Sequence, residues 1–391
     1  MPMHWGKVLN SDKLRANNLT HARFDPESKQ PGFKYTTVQV KKHATPKKNI
    51  CVIGTGAAAY QFIKTYRQHN QQDAIKVFGR EPHAFYNRVM LPHYIAGSIA
   101  WERLQKTDET ELSKLNIELH ANTSINHIHC ASNTLYTSEG KDYQYDELIL
   151  ATGSSPVVPP LYKNNFKHVY SLRHRGDADN ILLHVAQGKK AVVVGGGLLG
   201  LELCASLLEH NMKVTLLNRG NLLMSKQLDQ TASNLLHKQL TSTGVEVMLN
   251  QQIKNIFAST AHKLEIVLED NNSMETDILI FAIGTMPNVQ LAAAAGLRTS
   301  TGVVVNEHMQ TSAYNIFAIG EIAEFKGHMV GITPAAEQQA KVAACYLAGD
   351  HASIYKGSIS QNILKFPGIV LCAVGDTKPN MAEGAFRRLL C

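Results

Sequence analysis

Short apolar runs that stop at a glycine, each followed by residues with helical spacing, set the rhythm of this chain. The first, Ile50 to Ile53, turns through Gly54-Thr55-Gly56-Ala57-Ala58-Ala59 into a helical stretch ending near Arg67 and then a strand, Ile75 to Phe78. The second, Ala191 to Val194, turns through Gly195-Gly196-Gly197-Leu198-Leu199-Gly200 into a helix ending near His210 and then a strand, Lys213 to Leu217. Continuous apolar runs of this length suit strands buried on both faces of a parallel sheet, and strand, turn, helix, strand predicts a βαβ unit. The unit occurs twice, which predicts an α/β chain with two Rossmann-like domains. Three further apolar strands end in glycine: Leu148-Ile149-Leu150 before Thr152-Gly153, Ile278 to Ile283 before Gly284, and Ile316 to Ile319 before Gly320-Glu321.

The glycine spacing has a physical cause. The first Gly makes a tight turn, the second lets backbone approach a pyrophosphate, and the third permits close helix–strand packing, with the phosphates on the helix N-terminus. Ala59 stands at the third position of the first turn, whereas the second keeps Gly195, Gly197 and Gly200. An acid for ribose hydroxyls is expected roughly 20 residues later. Glu81 answers in the first unit, but the second reads Asn218-Arg219 with no acid, which weakens a strict NAD preference and permits contact with a 2′-phosphate.

Composition narrows the class. At 391 residues the chain predicts two or three domains, and 44% hydrophobic with 18% charged residues excludes a disordered or collagenous chain. A net charge of +7 comes from 39 basic and 32 acidic residues mixed along most of the sequence, which argues against a nucleic-acid partner. Lys41, Lys42, Lys47 and Lys48 around Thr45-Pro46 read as an exposed linker. The most apolar stretch, Ala191 to Leu208, holds four glycines and Glu202, so no membrane span is expected. Six scattered cysteines without CxxC spacing provide no disulfide redox centre, iron–sulfur cluster or metal site and suit a reducing cytoplasm.

Taken together, these motifs resemble the pyridine nucleotide-dependent FAD oxidoreductases, flavoproteins with two dinucleotide-binding domains of glutathione-reductase-like fold, from about Asn49 to Asp376. Within that family, Phe85-Tyr86-Asn87-Arg88-Val89-Met90-Leu91 and Met224-Ser225-Lys226-Gln227-Leu228-Asp229 resemble the FAD/NAD(P)H module of assimilatory nitrite and nitrate reductases. The resemblance implies FAD contacts at Gly54, Thr55, Gly56, Ala57, Ala58, Ala59, Glu81, Arg88, Thr152, Gly153, Gly320 and Glu321, the last replacing the usual Asp. On the nicotinamide side it implies Gly195, Gly197, Leu198, Leu199, Gly200, Glu202, Asn218, Arg219 and Gly284. The family lysine expected shortly after Arg88 is replaced by Leu91-Pro92-His93. Thr333-Pro334-Ala335-Ala336 reads as N-cap, N1 and first turn of a helix whose positive end would face the flavin, which brings in Pro334 and Ala335. No residue is assigned a catalytic role, because a bound flavin accepts hydride without a protein acid or nucleophile.

The implied domains are 49–158 with 289–350 for FAD, 159–288 for NAD(P)H, and 351–391 as a truncated third, interface domain. Residues 1–48 form a leader and linker; Met3-His4-Trp5, Asn17-Asn18-Leu19-Thr20 and Asp25-Pro26-Glu27-Ser28 resemble the end of a molybdopterin-dinucleotide-binding domain. The expected function is hydride transfer from NAD(P)H to FAD and onward electron transfer to a protein acceptor, an iron–sulfur or molybdenum component of nitrate or nitrite reduction. The alternatives are an FAD-binding redox sensor or remnant with little turnover, and an NADH oxidase. Oligomeric state is left open.

Overall fold

A computed structural model describes residues 47–160, 162, 166–260 and 263–375. The leader resembling a molybdopterin-dinucleotide-binding domain and the last sixteen residues lie outside the described residues. In the first unit β1 (Asn49–Ile53) leads through the glycine turn into α1 (Ala57–His69) and β2 (Ala74–Phe78). With β3 (Glu118–His120), β4 (Glu147–Leu150) and a strand at Ile316–Ala318 they form a five-stranded sheet. Its pairings are all parallel, in the order Ile316–Ala318, β4, β1, β2, β3.

The second unit repeats the plan with β5 (Val169–Ser171), α2 (Arg175–Leu182), β6 (Lys190–Val194), α3 (Leu198–Leu208), β7 (Lys213–Asn218), β8 (Glu246–Leu249) and β9 (Ile278–Phe281). Its sheet order is β8, β7, β6, β9, β5, again five strands paired in parallel. The strand Ile316–Ala318 that completes the first sheet is β10; α4 (Thr333–Leu347) packs on α1, and a hairpin of β11 (Gln361–Phe366) and β12 (Ile369–Val374) follows. The sequence places Thr333 at the N-cap of α4. The helix instead takes Ile332 as N-cap, because the Ile332 carbonyl already accepts from the Ala336 N–H, and proline is tolerated anywhere in a first turn.

Each sheet has its own core, and the chain crosses between them. Ile50, Val52, Ile75, Val77, Leu148 and Phe317 are fully buried in the first. In α3 the side chains of Leu201, Leu203, Cys204 and Leu207 are all inaccessible, so the helix is buried on several sides. It has sheet on one side and, on the other, the short helix Leu91–Ile95 and the hairpin. Tyr86, Leu91, Ile95 and Leu104 pack into that second core although they precede β4 in sequence. The Ser206 hydroxyl fixes the crossing by donating to the Pro92 carbonyl at 2.7 Å. Burying each leucine there stabilises the fold by roughly 1.5–3 kcal/mol.

Candidate dinucleotide sites

The two glycine turns are built alike. Gly54 has φ +120° and Gly195 φ +117°, a region that favours glycine. Each turn is pinned by its first amide, Gly54 N–H donating to Phe78 O and Gly195 N–H to Leu217 O, both at 2.8 Å. A Cβ on Gly54 would lie 2.2 Å from the Ala151 carbonyl oxygen, and one on Gly195 would lie 2.4 Å from that of Ala282. At the third position Ala59 is fully buried, whereas a Cβ on Gly200 would lie 1.9 Å from the Gly195 oxygen. Both following helices begin with a glycine N-cap, no side-chain cap and no acid in the first turn. First-turn N–H groups left in this way are the donors an anionic phosphate takes.

The first turn opens onto a cleft of about 470 Å³. Gly54, Thr55, Gly56, Ala57 and Ala58 form its floor, Thr152 and Gly153 one side, and Gly320 and Glu321 another. Over the floor lies the Arg88 guanidinium, stacked 4.5 Å from the centre of the Tyr86 ring and donating to the Thr55 carbonyl at 3.4 Å. Arg88 also pairs with Glu81, which accepts from the Tyr86 hydroxyl at 2.7 Å and lies 3.0 Å from His174 Nδ1. Burial pushes the Glu81 carboxyl up, but the His174 hydrogen bond, the Arg88 charge and the Tyr86 hydroxyl outweigh it and hold it at about 2. Glu81 is therefore an anion with partners on both oxygens.

Gly320 turns with φ +81°, its N–H donating to Gln339 Oε1 at 2.7 Å, and a Cβ there would lie 3.0 Å from that of Ala58. Glu321 reaches across to Arg173 at 2.6 Å and accepts from the Thr285 hydroxyl at 3.2 Å. Asn288 ties the two crossing segments by donating to the Thr152 carbonyl at 2.8 Å and accepting from Ser155 at 2.7 Å. The Ser154 hydroxyl, buried in the cleft wall, has no hydrogen-bond partner among the described residues. This unpaired hydroxyl, the Cβ-free approach at Gly54 and the cation over the turn fit a ligand carrying a pyrophosphate. Thr333 and Ala336 bring the start of α4 to the same cleft, while Pro334 lies in its first turn and Ala335 is fully buried behind it.

Residues of the second turn do not line that cleft. Among the described residues nothing lies within 4 Å of a Cβ placed on the half-buried Gly197, so they leave open space before the turn. Leu198 and Leu199 are half-buried, Gly284 is exposed with φ +110°, and Arg219 is exposed. In place of an acid, Asn218 Oδ1 accepts from the Gly196 N–H at 3.0 Å, while its Nδ2 donates to Gly220 O at 2.9 Å and Leu222 O at 3.0 Å. The amide thus braces the turn from behind. Glu202 is 8% exposed, and its carboxyl meets the hairpin at the Lys365 N–H, 3.3 Å away.

Sequence reasoning missed Arg173, His174, Ser154 and Asn288. Ser154 directly follows the strand-end glycine Gly153, and Asn288 closes the run Gly284-Thr285-Met286-Pro287-Asn288, so their positions carried a signal. Arg173 and His174 follow a three-residue strand that offers no periodicity. Among the described residues there is no cluster of three or more His, Cys, Asp or Glu able to hold a metal, and no helix long and apolar enough to cross a membrane.

Comparison with known proteins bears on the same region. The chain is 34% identical over 343 residues to nitrite reductase [NAD(P)H] of Bacillus subtilis (strain 168), covering 87% of this chain and 42% of that protein. It is 32% identical over 330 residues to the assimilatory nitrate reductase electron transfer subunit of the same organism, covering 84% of this chain and 43% of that protein. The chain thus spans less than half the length of these two relatives. Among solved structures, a covalent putidaredoxin reductase–putidaredoxin complex superimposes with a TM-score of 0.80 at 28% identity, covering 85% of this chain and 82% of that one. The sequence profile of the pyridine nucleotide-disulphide oxidoreductases matches residues 48–343, across both glycine turns and the cleft, and the chain belongs to that family of FAD- and NAD(P)H-using oxidoreductases.

Proposed function

We propose that this chain accepts hydride from NAD(P)H on FAD and delivers the electrons to a protein redox partner of nitrate or nitrite reduction. The observation that carries the reading is the pair of matched glycine turns, one inside a cleft with a cation over it and one facing open space. Residues 49–158 and 289–350 would hold FAD, and residues 159–288 NAD(P)H. The remaining described segment, from residue 351, would cover the second unit. FAD, when bound, supplies the ring that accepts hydride.

The chain's own residues bind and orient. Gly54, Gly56 and the first-turn amides of α1 receive the pyrophosphate, Arg88 balances its charge, and Glu321, Thr152, Gly153 and Ser154 offer polar groups along the cleft. Gly195, Gly197 and α3 receive the second dinucleotide, with Asn218 holding the turn and Arg219 free to meet a 2′-phosphate. Cys51 and Cys204 are buried and unpaired, and burial pushes the Cys51 thiol up to about 12, so neither offers a thiolate relay. The names of the two Bacillus subtilis relatives support an acceptor in nitrate or nitrite reduction.

The experiment is an anaerobic titration of the purified flavin-loaded chain with NADH and with NADPH, followed by flavin absorbance. Bleaching with either nucleotide supports the reductase reading, and reoxidation by a nitrate or nitrite reductase component faster than by oxygen supports the acceptor. A yellow protein that neither nucleotide bleaches overturns the first claim. Reoxidation that oxygen alone accounts for overturns the second.

A further inference from the structure

Arg173 and His174 are consecutive residues of the second unit, yet each faces a carboxylate of the first. Arg173 Nη2 donates to Glu321 Oε2 at 2.6 Å, and His174 Nδ1 lies 3.0 Å from Glu81 Oε1. All four side chains line the cleft of the first turn. The dipeptide is fixed from its own side by Asp177 in the first turn of α2, whose Oδ2 accepts from both backbone N–H groups at 2.8 Å. Each side chain is then oriented a second time. A Cβ on Gly153 would lie 3.4 Å from Arg173 Nη2, so the guanidinium packs over the strand-end glycine where it meets Glu321. His174 Nε2 lies 2.7 Å from Arg80 Nη2, and a guanidinium can only donate, so Nε2 accepts and the ring proton sits on Nδ1, towards Glu81.

We propose that Arg173 and His174 are positioning residues for the ligand of the first cleft, through which the second unit orients the two carboxylates that meet the ligand's hydroxyl groups. The inference deepens the proposed function and rests on FAD occupying that cleft. A carboxylate offers about four lone-pair sites. Glu321 spends one on Arg173 and one on the Thr285 hydroxyl, which fixes its plane and leaves acceptors for other donors. Glu81 spends three, on Tyr86, Arg88 and His174. A carboxylate set beforehand binds a hydroxyl without first losing its own freedom. The two pairs are unequal. Among the described residues Arg173 is the only cation paired with Glu321, so without it this partly exposed carboxylate turns to water. Glu81 keeps Arg88 and Tyr86 when His174 is removed, so the second pair matters less.

The full chain, stripped of flavin, is titrated with FAD, binding being read from flavin fluorescence, and thermal unfolding of the ligand-free chain is measured in parallel. Arg173→Met and Glu321→Gln should each weaken FAD binding by about ten- to a hundredfold. Together they should weaken it no more than the stronger single change does, because Arg173 acts through Glu321. Arg173→Lys keeps a cation within reach and should recover most of the affinity. His174→Leu should weaken binding by about fivefold in the wild type and not at all in Glu81→Gln. Losses at Arg173 and Glu321 that multiply would mean that Arg173 meets the ligand itself, which overturns the positioning role alone. Thermal midpoints that fall while FAD affinity holds would make the pairs merely structural and overturn it too. A wild-type chain that takes up no FAD overturns the reading of the first cleft, and this inference with it.

Discussion

The first glycine turn sits beneath a lid of charge, with Arg88 stacked on Tyr86 above it and Glu81 held between Arg88, Tyr86 and His174. The second has an almost superimposable first glycine, φ +117° against +120°, yet open space before Gly197 and the neutral Asn218 behind it. One backbone device is thus set in two environments. Enclosure and a fixed counter-charge suit a ligand retained through many turnovers, since every preorganised contact slows its departure. An open turn lacking an anchoring carboxylate suits one that must enter and leave. In the proposed reading this difference, rather than the turns themselves, separates a resident flavin from a consumed nicotinamide.

The sharpest way to break the comparison is at the glycines. Gly54→Val should abolish flavin binding and cost several kcal/mol of stability, because its Cβ has no room beside Ala151 and its φ is strained for a β-branched residue. Visible absorbance and thermal unfolding read both effects. Gly197→Val is the informative contrast, since this residue has extended backbone and nothing within 4 Å of its Cβ. Fold and flavin should survive, while flavin reduction by NAD(P)H falls by about a hundredfold or more as the new side chain bars the approach of a pyrophosphate. Loss of the flavin itself in this variant would mean that the two sites are assigned in reverse.

A smaller effect is expected at the charged lid. Arg88→Gln leaves Glu81 buried without its cation, which should cost about 1–3 kcal/mol and weaken flavin retention. The sign of the pH dependence follows from Glu81 lying near 2 in the fold. An acid lowered on folding contributes stability that is complete above its ordinary value, about 4.3, and is lost as pH falls through the lowered one. Urea unfolding at pH 6 and pH 3 should therefore show a decline in the wild type and a shallower one in Arg88→Gln. Equal declines would remove Arg88 as a contributor to the shift and leave it to His174 and Tyr86.

Local rules made the turns legible in sequence, and they faded where contacts are long-range. Gly54, Gly195 and Gly200 announce themselves because only glycine fits beside a neighbouring carbonyl. Glu81 was found by its distance from the turn, but its capture by Tyr86, Arg88 and His174 depends on a crossing between the two units that no periodicity reports. The same holds for Glu202: helical spacing marks it as a polar interruption, whereas its partner lies 163 positions away on the edge of a hairpin. The start of α4 shows the opposite limit, because Thr333 has the chemistry of an N-cap, but the Ile332 carbonyl takes the first helical bond.

The smallest expected effect, and the one that refines the contrast between the turns, concerns nucleotide choice. Arg219 is exposed beside a strand end whose Asn218 is fully occupied, accepting from Gly196 and donating to Gly220 and Leu222. No carboxylate stands there to repel a 2′-phosphate or to grip ribose hydroxyls. Arg219→Ala should therefore raise the KM for NADPH about tenfold and leave that for NADH within about twofold, the loss of one exposed charge-assisted contact. Asn218→Asp supplies the missing acid and should shift preference towards NADH. It also places a carboxylate against two carbonyls that now accept from an amide, so a stability loss of about 1–3 kcal/mol should accompany the change. Measured in both variants, the KM ratio separates the two roles: if Arg219→Ala moves both nucleotides equally, the cation is not a phosphate contact, and the second turn must select its ligand by shape alone.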